Sequence, residues 1–411
     1  MRYLFSGQSK ETAMKPLDGV KVIDLSNMLM APYATQILGD LGADVIKVEP
    51  PTGDPVRGIT PYRHQGMGAI YLNCNRSKRS VVLDLKTQDG YDILIEMLKD
   101  ADVLVYNRRP QVMARLNLSY ETVKKINPRL IYAGLFGYGQ GGAYEKKPAF
   151  DDLIQGAVSI PWLQHMADGR EPTYAPTAIV DRGVGLWAVG QINAALFHQL
   201  KTGRGQQIDL PMFEMMTSFV LSDHLAGKTF EPPIGEVGYK RMMSPDRRPY
   251  QTLDGYVCVM VYTDRHWASF YKALGREDDL IKDPRLKNMS TRTENISAIL
   301  KELADLLKTR TTADWLALFD QADIPAMPLH TPDSLLQDPH LKEVDFFYNV
   351  EHPTEGQLLD MRVPAHWSET QPAPTRHAPQ LGEHSREVLS ELGYSLERIK
   401  TFEKAGVTNT L

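Results

Sequence analysis

The feature that most constrains this chain is a strand–helix–strand run within its first fifty residues. Val20-Lys21-Val22-Ile23-Asp24-Leu25 is a short β-rich run. Pro32 follows at a helix start, and residues 32–41 read as a helix that Gly42 ends. Asp44-Val45-Ile46-Lys47-Val48 is a second strand, closed by Pro50, Pro51 and Gly53. Two strands joined by one helix in so short a space form a parallel βαβ unit. The alternation continues. Residues 80–85 predict a strand, and 88–100 a helix whose apolar face is Tyr91, Ile93, Leu94, Met97 and Leu98. Residues 103–106 predict a strand, 111–126 helical turns, and 130–133 another strand. Such a series specifies an α/β fold with an open, Rossmann-like sheet.

At 411 residues the chain exceeds one small core, so two domains or a large insertion are expected. Residues 182–201 predict a long helix stopped by Thr202-Gly203-Arg204-Gly205; 207–210 predict a strand and 211–226 a helix. Pro232, Pro233, Gly235, Gly238 and Pro245 mark 228–248 as a linker. Residues 249–330, with a strand pair around Tyr256–Val259 and several helices, suit a smaller α+β domain. Residues 331–411 hold Pro-rich crossings and a helix near 383–391.

Composition narrows the function. The net charge of -5 offers no global attraction to nucleic acid or an anionic membrane, so an anionic ligand must be met by local basic residues. The two cysteines, Cys74 and Cys258, lie in no CxxC or His-rich cluster, which argues against a metal site or disulfide framework. No apolar run approaches the ~18 residues of a membrane span. The opening MRYLFSGQSKETAMKPLDG lacks a secretory apolar core. A cytoplasmic enzyme is the expectation.

The common enzyme motifs are missing: GxGxxG after the first strand, GxxxxGK[ST], HExxH and GxSxG. Gly137-Tyr138-Gly139-Gln140-Gly141-Gly142 follows a strand, but alone it reads as a turn. Asp181 sits between Ala178-Ile179-Val180 and the long helix. Locally it reads first as a helix N-cap. The same amides would also hold an ionised carboxylate able to act as a covalent nucleophile. Arg76, Lys78 and Arg79 with Lys86, and Arg108 and Arg109 with Arg115, form two basic clusters. They are either a solvated face or a phosphate site at the strand ends of one sheet.

Several blocks in order resemble the family III CoA-transferases. They are Pro16–Leu25, Gly39–Glu49, Lys78-Arg79-Ser80 through Leu83-Asp84-Leu85-Lys86, Thr202–Gln206, and Ala378-Pro379-Gln380-Leu381-Gly382-Glu383-His384. The likeness runs from about residue 16 to 395. It implies an interlocked homodimer whose large Rossmann-like domain is built from both chain ends: 16–227 and the return linker and C-terminal part 331–411. The smaller domain, 249–330, is inserted between.

The family's nucleophile is an Asp downstream of a P-x-[YFH]-[DE] block. Here the block is Pro148-Ala149-Phe150-Asp151, and the implied nucleophile is Asp181. The implied CoA contacts are Met28, Leu29, Met30, Leu83, Lys86, Asn107, Arg108 and Arg115. Gly137, Gly139 and Gly141 are candidate oxyanion donors. CoA and acyl-CoA enter as substrates; no permanently bound cofactor or metal is expected, and the second substrate is a small carboxylic acid. Two departures stand out. Pro50 occupies a place where some members carry an Arg near the adenine, and the glycine-rich flexible loop of formyl-CoA transferases has no clear counterpart. An α-methylacyl-CoA racemase is the runner-up, but its proton-carrying His falls at Phe150. A non-catalytic CoA-binding protein is the third reading. Arg241 or Arg247 would suit the second carboxylate of a dicarboxylic acid, although each reads first as a surface residue.

Overall fold

The computed structural model describes residues 14–410. The stretch 1–13, most of the segment read for a leader, lies outside them. Six strands form one parallel sheet: β1 (Lys21–Asp24), β2 (Asp44–Glu49), β3 (Lys78–Val82), β4 (Val103–Tyr106), β5 (Ile131–Phe136) and β6 (Gln207–Pro211). Their spatial order is β3-β2-β1-β4-β5-β6. Ile23 pairs with Ile46 on one side and with Leu104 on the other. The strand order therefore reverses between β1 and β4. In open α/β sheets the ligand crevice lies outside the C-terminal ends of the strands at that switch point.

The helices up to residue 224 are α1 (Met30–Asp40), α2 (Ala69–Asn75), α3 (Gln88–Lys99), α4 (Pro110–Arg115), α5 (Tyr120–Ile126), α6 (Asp151–Ala157), α7 (Ile160–Asp168), α8 (Ile179–Thr202) and α9 (Met212–His224). One sheet face is closed by Ile93, Leu94, Met97 and Leu98 of α3, the apolar stripe expected from the sequence. Val388, Leu389, Ile399 and Phe402 complete the same core. The chain's end is also tied to the β3 edge. Asp84 donates its N–H to the Val407 carbonyl (2.8 Å), and the Thr408 hydroxyl donates to the Val82 carbonyl (2.7 Å).

Three local expectations are corrected. The strand read at 80–85 is Lys78–Val82, because Lys78 and Arg79 are buried within it by acidic partners rather than marking its edge. A hairpin, β10 (Phe347–His352) with β11 (Gly356–Met361), occupies part of the stretch read as crossings. A second C-terminal helix, Leu396–Lys404, follows the one at Ser385–Glu391.

The chain divides into two compact units. Among the described residues, the first comprises 14–154, 176–217 and 341–410; the second comprises 155–175 and 218–340. The segment 228–248, read as a linker, falls inside the second unit, which also takes in 155–175 and 218–227. That unit carries an antiparallel sheet of β7 (Tyr250–Gln251), β8 (Tyr256–Val259) and β9 (Ala326–Pro328). Against it pack Trp267, Phe270, Trp315 and Phe319, with the Trp315 and Phe319 rings stacked at 5.6 Å. The helix Ile296–Leu307 buries Ile296, Ile299, Leu300, Leu303 and Leu307, a continuous 3.6-period stripe. Among the described residues, no helix is long and apolar enough to cross a membrane.

Candidate active site

The loop after β1 sits at the switch point and is held at Ser26, Asn27 and Met28. Ser26 donates its N–H to Asp24 (2.9 Å), while its carbonyl accepts from the Lys47 ammonium (2.8 Å). The Asn107 side chain, at the end of β4, accepts from the Asn27 N–H (3.1 Å) and donates to the Asn27 carbonyl (2.7 Å). Met28 donates its N–H to Asp54 (3.1 Å) and adopts φ +66°, a left-handed conformation uncommon for a side chain of this kind. Such strain persists only where the surroundings over-determine it, and here they do. Leu29 then caps α1 with no side-chain hydrogen bond, and Met30 opens the helix.

Beneath the loop lies a network of charges with almost no exposure. Lys47 meets Asp54 at 2.9 Å and Lys78 meets Asp24 at 3.1 Å. Burial alone pushes the Asp24 carboxyl up, but Lys78, Lys47 and the hydroxyls of Ser26 and Thr35 outweigh it and hold it at about 2. Arg57 is bidentate to Glu49 and lies over the Tyr71 ring (3.8 Å). Lys47 and Asp54 escaped the sequence reading, since a lysine within a β-run gives no sign that it is buried.

The two basic clusters sort cleanly. Arg76 is bound by Asp40 and Asp360, and Arg79 by Asp44, Glu387 and Glu391. With Lys78 on Asp24, the first cluster is structural and only Lys86 is left for a ligand. Arg109 donates to the Lys146 carbonyl. Arg108 is half-buried, forms no ion pair among the described residues, and burial lowers its pKa. Lys86, Arg108 and Leu83 share a cavity of about 110 Å³ with Leu25, Val48, Pro50, Leu85, Met113 and Leu116, and with the acidic Glu49 and Asp84. Of the two acids, Glu49 is taken up by Arg57. The apolar remainder of the lining, with Lys86 and Arg108, suits a ligand with a flat apolar ring and phosphates. Arg115 is exposed and does not line this cavity.

Asp181 is not the helix cap the sequence suggested. α8 begins at Ile179 after Ala178, so Asp181 lies within its first turn. Its N–H donates to Asp151 Oδ2 (2.8 Å), the first residue of α6. Its carboxyl lies well above the usual carboxylate range. Burial and the neighbouring Asp151 raise it to about 7, with only Arg182 opposing them. Four residues on, a Cβ at Gly185 would stand 2.7 Å from the Met30 carbonyl. Residues four apart share a helix face about 6 Å apart along the axis. The side of α8 that carries Asp181 therefore runs against the start of α1, where the anchored loop ends. Arg182 lies over the Tyr33 ring of α1 (4.3 Å).

The glycine run is engaged otherwise than expected. The Gly139 N–H donates to Glu214 (2.9 Å) and the Gly141 N–H to Glu145 (3.0 Å). The Gly137 carbonyl accepts from Phe213 (3.0 Å), and a Cβ at Gly137 would meet that of Ala149 at 2.4 Å. Two of the three amides read as oxyanion donors thus carry protein carboxylates. Glu214 gave no sequence signal, because only the chain's return through α9 brings it here. Among the described residues, no cluster of His, Cys, Asp and Glu is placed to hold a metal ion.

An anchored loop at the switch point, an apolar cavity lined by Lys86 and Arg108, and a carboxyl raised to about 7 on the side of α8 that faces the start of α1 are features suited to an anionic substrate with an apolar ring. The sequence profile of CoA-transferase family III matches residues 17–385, and the chain belongs to that family. It is similar to the human succinyl-CoA:glutarate CoA-transferase, at 31% identity over 99% of this chain and 94% of the human protein. The succinyl-CoA:mesaconate CoA-transferase of Haloarcula hispanica is also 31% identical, over 92% of this chain and 97% of that protein. A CaiB/BaiF family protein from Brucella suis shares the fold with a TM-score of 0.75 and 32% identity, covering 92% of this chain and 99% of that one. The protein is a family III CoA-transferase, and CoA thioesters are its substrates.

Proposed function

We propose that this enzyme moves coenzyme A from an acyl-CoA to a small carboxylic acid through Asp181. The Asp181 carboxylate attacks the thioester carbonyl; the C–S bond breaks, leaving a mixed anhydride and CoA thiolate. The thiolate attacks the aspartyl carbonyl, releases the donor acid and forms an aspartyl-CoA thioester. The acceptor carboxylate attacks that thioester, giving a second anhydride and thiolate. Attack of the thiolate on the acceptor carbonyl forms the new acyl-CoA and frees Asp181. Covalent relay divides one hard exchange into easier steps.

The observation that carries this reading is the close approach of Gly185 to the Met30 carbonyl. It sets the face bearing Asp181 beside the loop assigned to CoA. A carboxyl raised to about 7 is also more basic, and so more nucleophilic once ionised, than an ordinary aspartate. In this reading Leu83, Lys86 and Arg108 hold the nucleotide end of CoA, and no cofactor is permanently bound. Dicarboxylates are the acceptors to try first, given the glutarate and mesaconate in the names of the relatives.

A homodimer is part of the same proposal. α8 leaves Leu186, Trp187, Phe197 and Leu200 exposed on the single chain. A helix that exposes several large apolar side chains besides those it buries calls for a covering partner. Asp181→Ala tests the chemistry. The variant should bind CoA and unfold as the wild type does, yet transfer none of it between succinyl-CoA and glutarate. Undiminished transfer would overturn the assignment.

A further inference from the structure

Asp151 stands outside the chemistry just described, yet it is joined to its centre. Its Oδ2 accepts the N–H of Asp181 at 2.8 Å. The first turn of a helix leaves its N–H groups without partners inside the helix. At the start of α8 no side chain of the flanking residue fills that role. The partner comes instead from the first residue of another helix, α6, thirty positions earlier. Phe150, beside it, points no functional group at the site and is largely exposed. We infer that Asp151 is a positioning residue for the CoA-transfer reaction: its carboxylate clamps the first turn of α8 and sets a negative charge beside the carboxyl of Asp181.

The inference rests on the reading of Asp181 as nucleophile and deepens it. The clamp has two separable effects. As a hydrogen-bond acceptor, Asp151 fixes the backbone from which the nucleophile projects, and small displacements of a reacting group cost rate steeply. As a charge, it makes the Asp181 carboxyl harder to ionise and more basic. Other groups bear on the same carboxyl. Arg182, next along α8, favours its ionised form. Tyr33 of α1 and Cys74 of α2 both contact Arg182. Asp151 is thus the charge that raises the carboxyl, and Arg182 the charge that lowers it.

Asparagine separates the two effects, since it keeps the acceptor oxygen and removes the charge. The experiment compares the pH profiles of kcat/KM for wild type, Asp151→Asn, Asp151→Glu and Asp151→Ala, with succinyl-CoA and glutarate. For Asp151→Asn the midpoint of the acid limb should move down by about one pH unit or more, as expected when a like charge leaves a carboxyl. Asp151→Glu keeps the charge and should leave the midpoint in place. Asp151→Ala should lower kcat at least ~tenfold with little change in KM, and Asp151→Asn should restore most of that loss on the plateau. A midpoint does not depend on how much of a sample is folded, so poorly folding variants still report. An unmoved midpoint in Asp151→Asn, in an enzyme that Asp181→Ala inactivates, overturns the role of Asp151 alone. Normal transfer by Asp181→Ala overturns the nucleophile, and this inference with it.

Discussion

The ammonium of Lys47 and the carboxylate of Asp54 meet at 2.9 Å with neither side chain appreciably exposed. Each end of the pair also holds the loop above it. Lys47 donates to the Ser26 carbonyl and Asp54 accepts from the Met28 N–H. A buried pair of this kind is weak evidence of net stabilisation, but breaking it strands a charge. Lys47→Met should therefore cost about 3–5 kcal/mol of stability, read by urea denaturation. The double variant Lys47→Met, Asp54→Leu should recover much of that loss while still binding CoA poorly. Full CoA affinity in the double variant would detach the pair from the loop.

Acid should unfold the protein through the same network. The carboxyls of Asp24 and Glu383 are each lowered to about 2, and that of Glu49 is lowered too. For each, burial acts upward and is outweighed by cationic and hydrogen-bonding partners. The native state then binds fewer protons than the unfolded chain, so this stability is present above the unfolded carboxyl pKa of about 4 and is lost as pH falls towards 2. Denaturation midpoints measured from pH 5 to pH 2 should fall steadily, and Asp24→Asn should flatten the slope.

The division of the basic residues predicts opposite outcomes for Arg108 and Lys86 on one side and Arg79 on the other. Arg108→Ala and Lys86→Ala should each weaken CoA binding about tenfold, as loss of a charge-assisted contact does, with little effect on unfolding. Arg79→Ala should leave CoA affinity unchanged and lower the denaturation midpoint, because Asp44, Glu387 and Glu391 lose their common partner. Calorimetric titration with CoA, paired with thermal melts, checks both halves.

Asn107 should act on affinity rather than turnover. Both ends of its amide are occupied by the Asn27 backbone, so Asn107→Ala frees two loop groups and touches neither Asp181 nor Asp151. KM for acyl-CoA should rise several-fold while kcat changes less than twofold, the pattern expected when ground and transition states lose the same binding. Steady-state kinetics with varied succinyl-CoA decides it.

The sheet was legible in the sequence because its strands are short apolar runs between helices of 3.6-residue period, and α1, α3 and β4 fall within a residue or two of where the pattern puts them. The Leu396–Lys404 helix was harder to read, since it buries only Ile399 and Phe402 among charged neighbours. The site divided along the same line. Asp181 is proposed through its order among family blocks, since locally it resembles a cap. Its electrostatics could not be read, because they depend on Asp151 arriving from another helix. Likewise, nothing in the run Arg76-Ser77-Lys78-Arg79 tells that Asp40, Asp24 and Asp44 wait across the fold to neutralise it.

The central claim is a covalent bond at one carboxyl. Incubating the enzyme with succinyl-CoA and hydroxylamine, then digesting it and sequencing the peptides by mass spectrometry, tests it most directly. Hydroxylamine attacks the aspartyl carbonyl of the thioester, expels CoA and leaves a hydroxamate. The account predicts that hydroxamate on Asp181, formed only when acyl-CoA is present. A hydroxamate on another residue, or an enzyme that turns over without forming one, would contradict it.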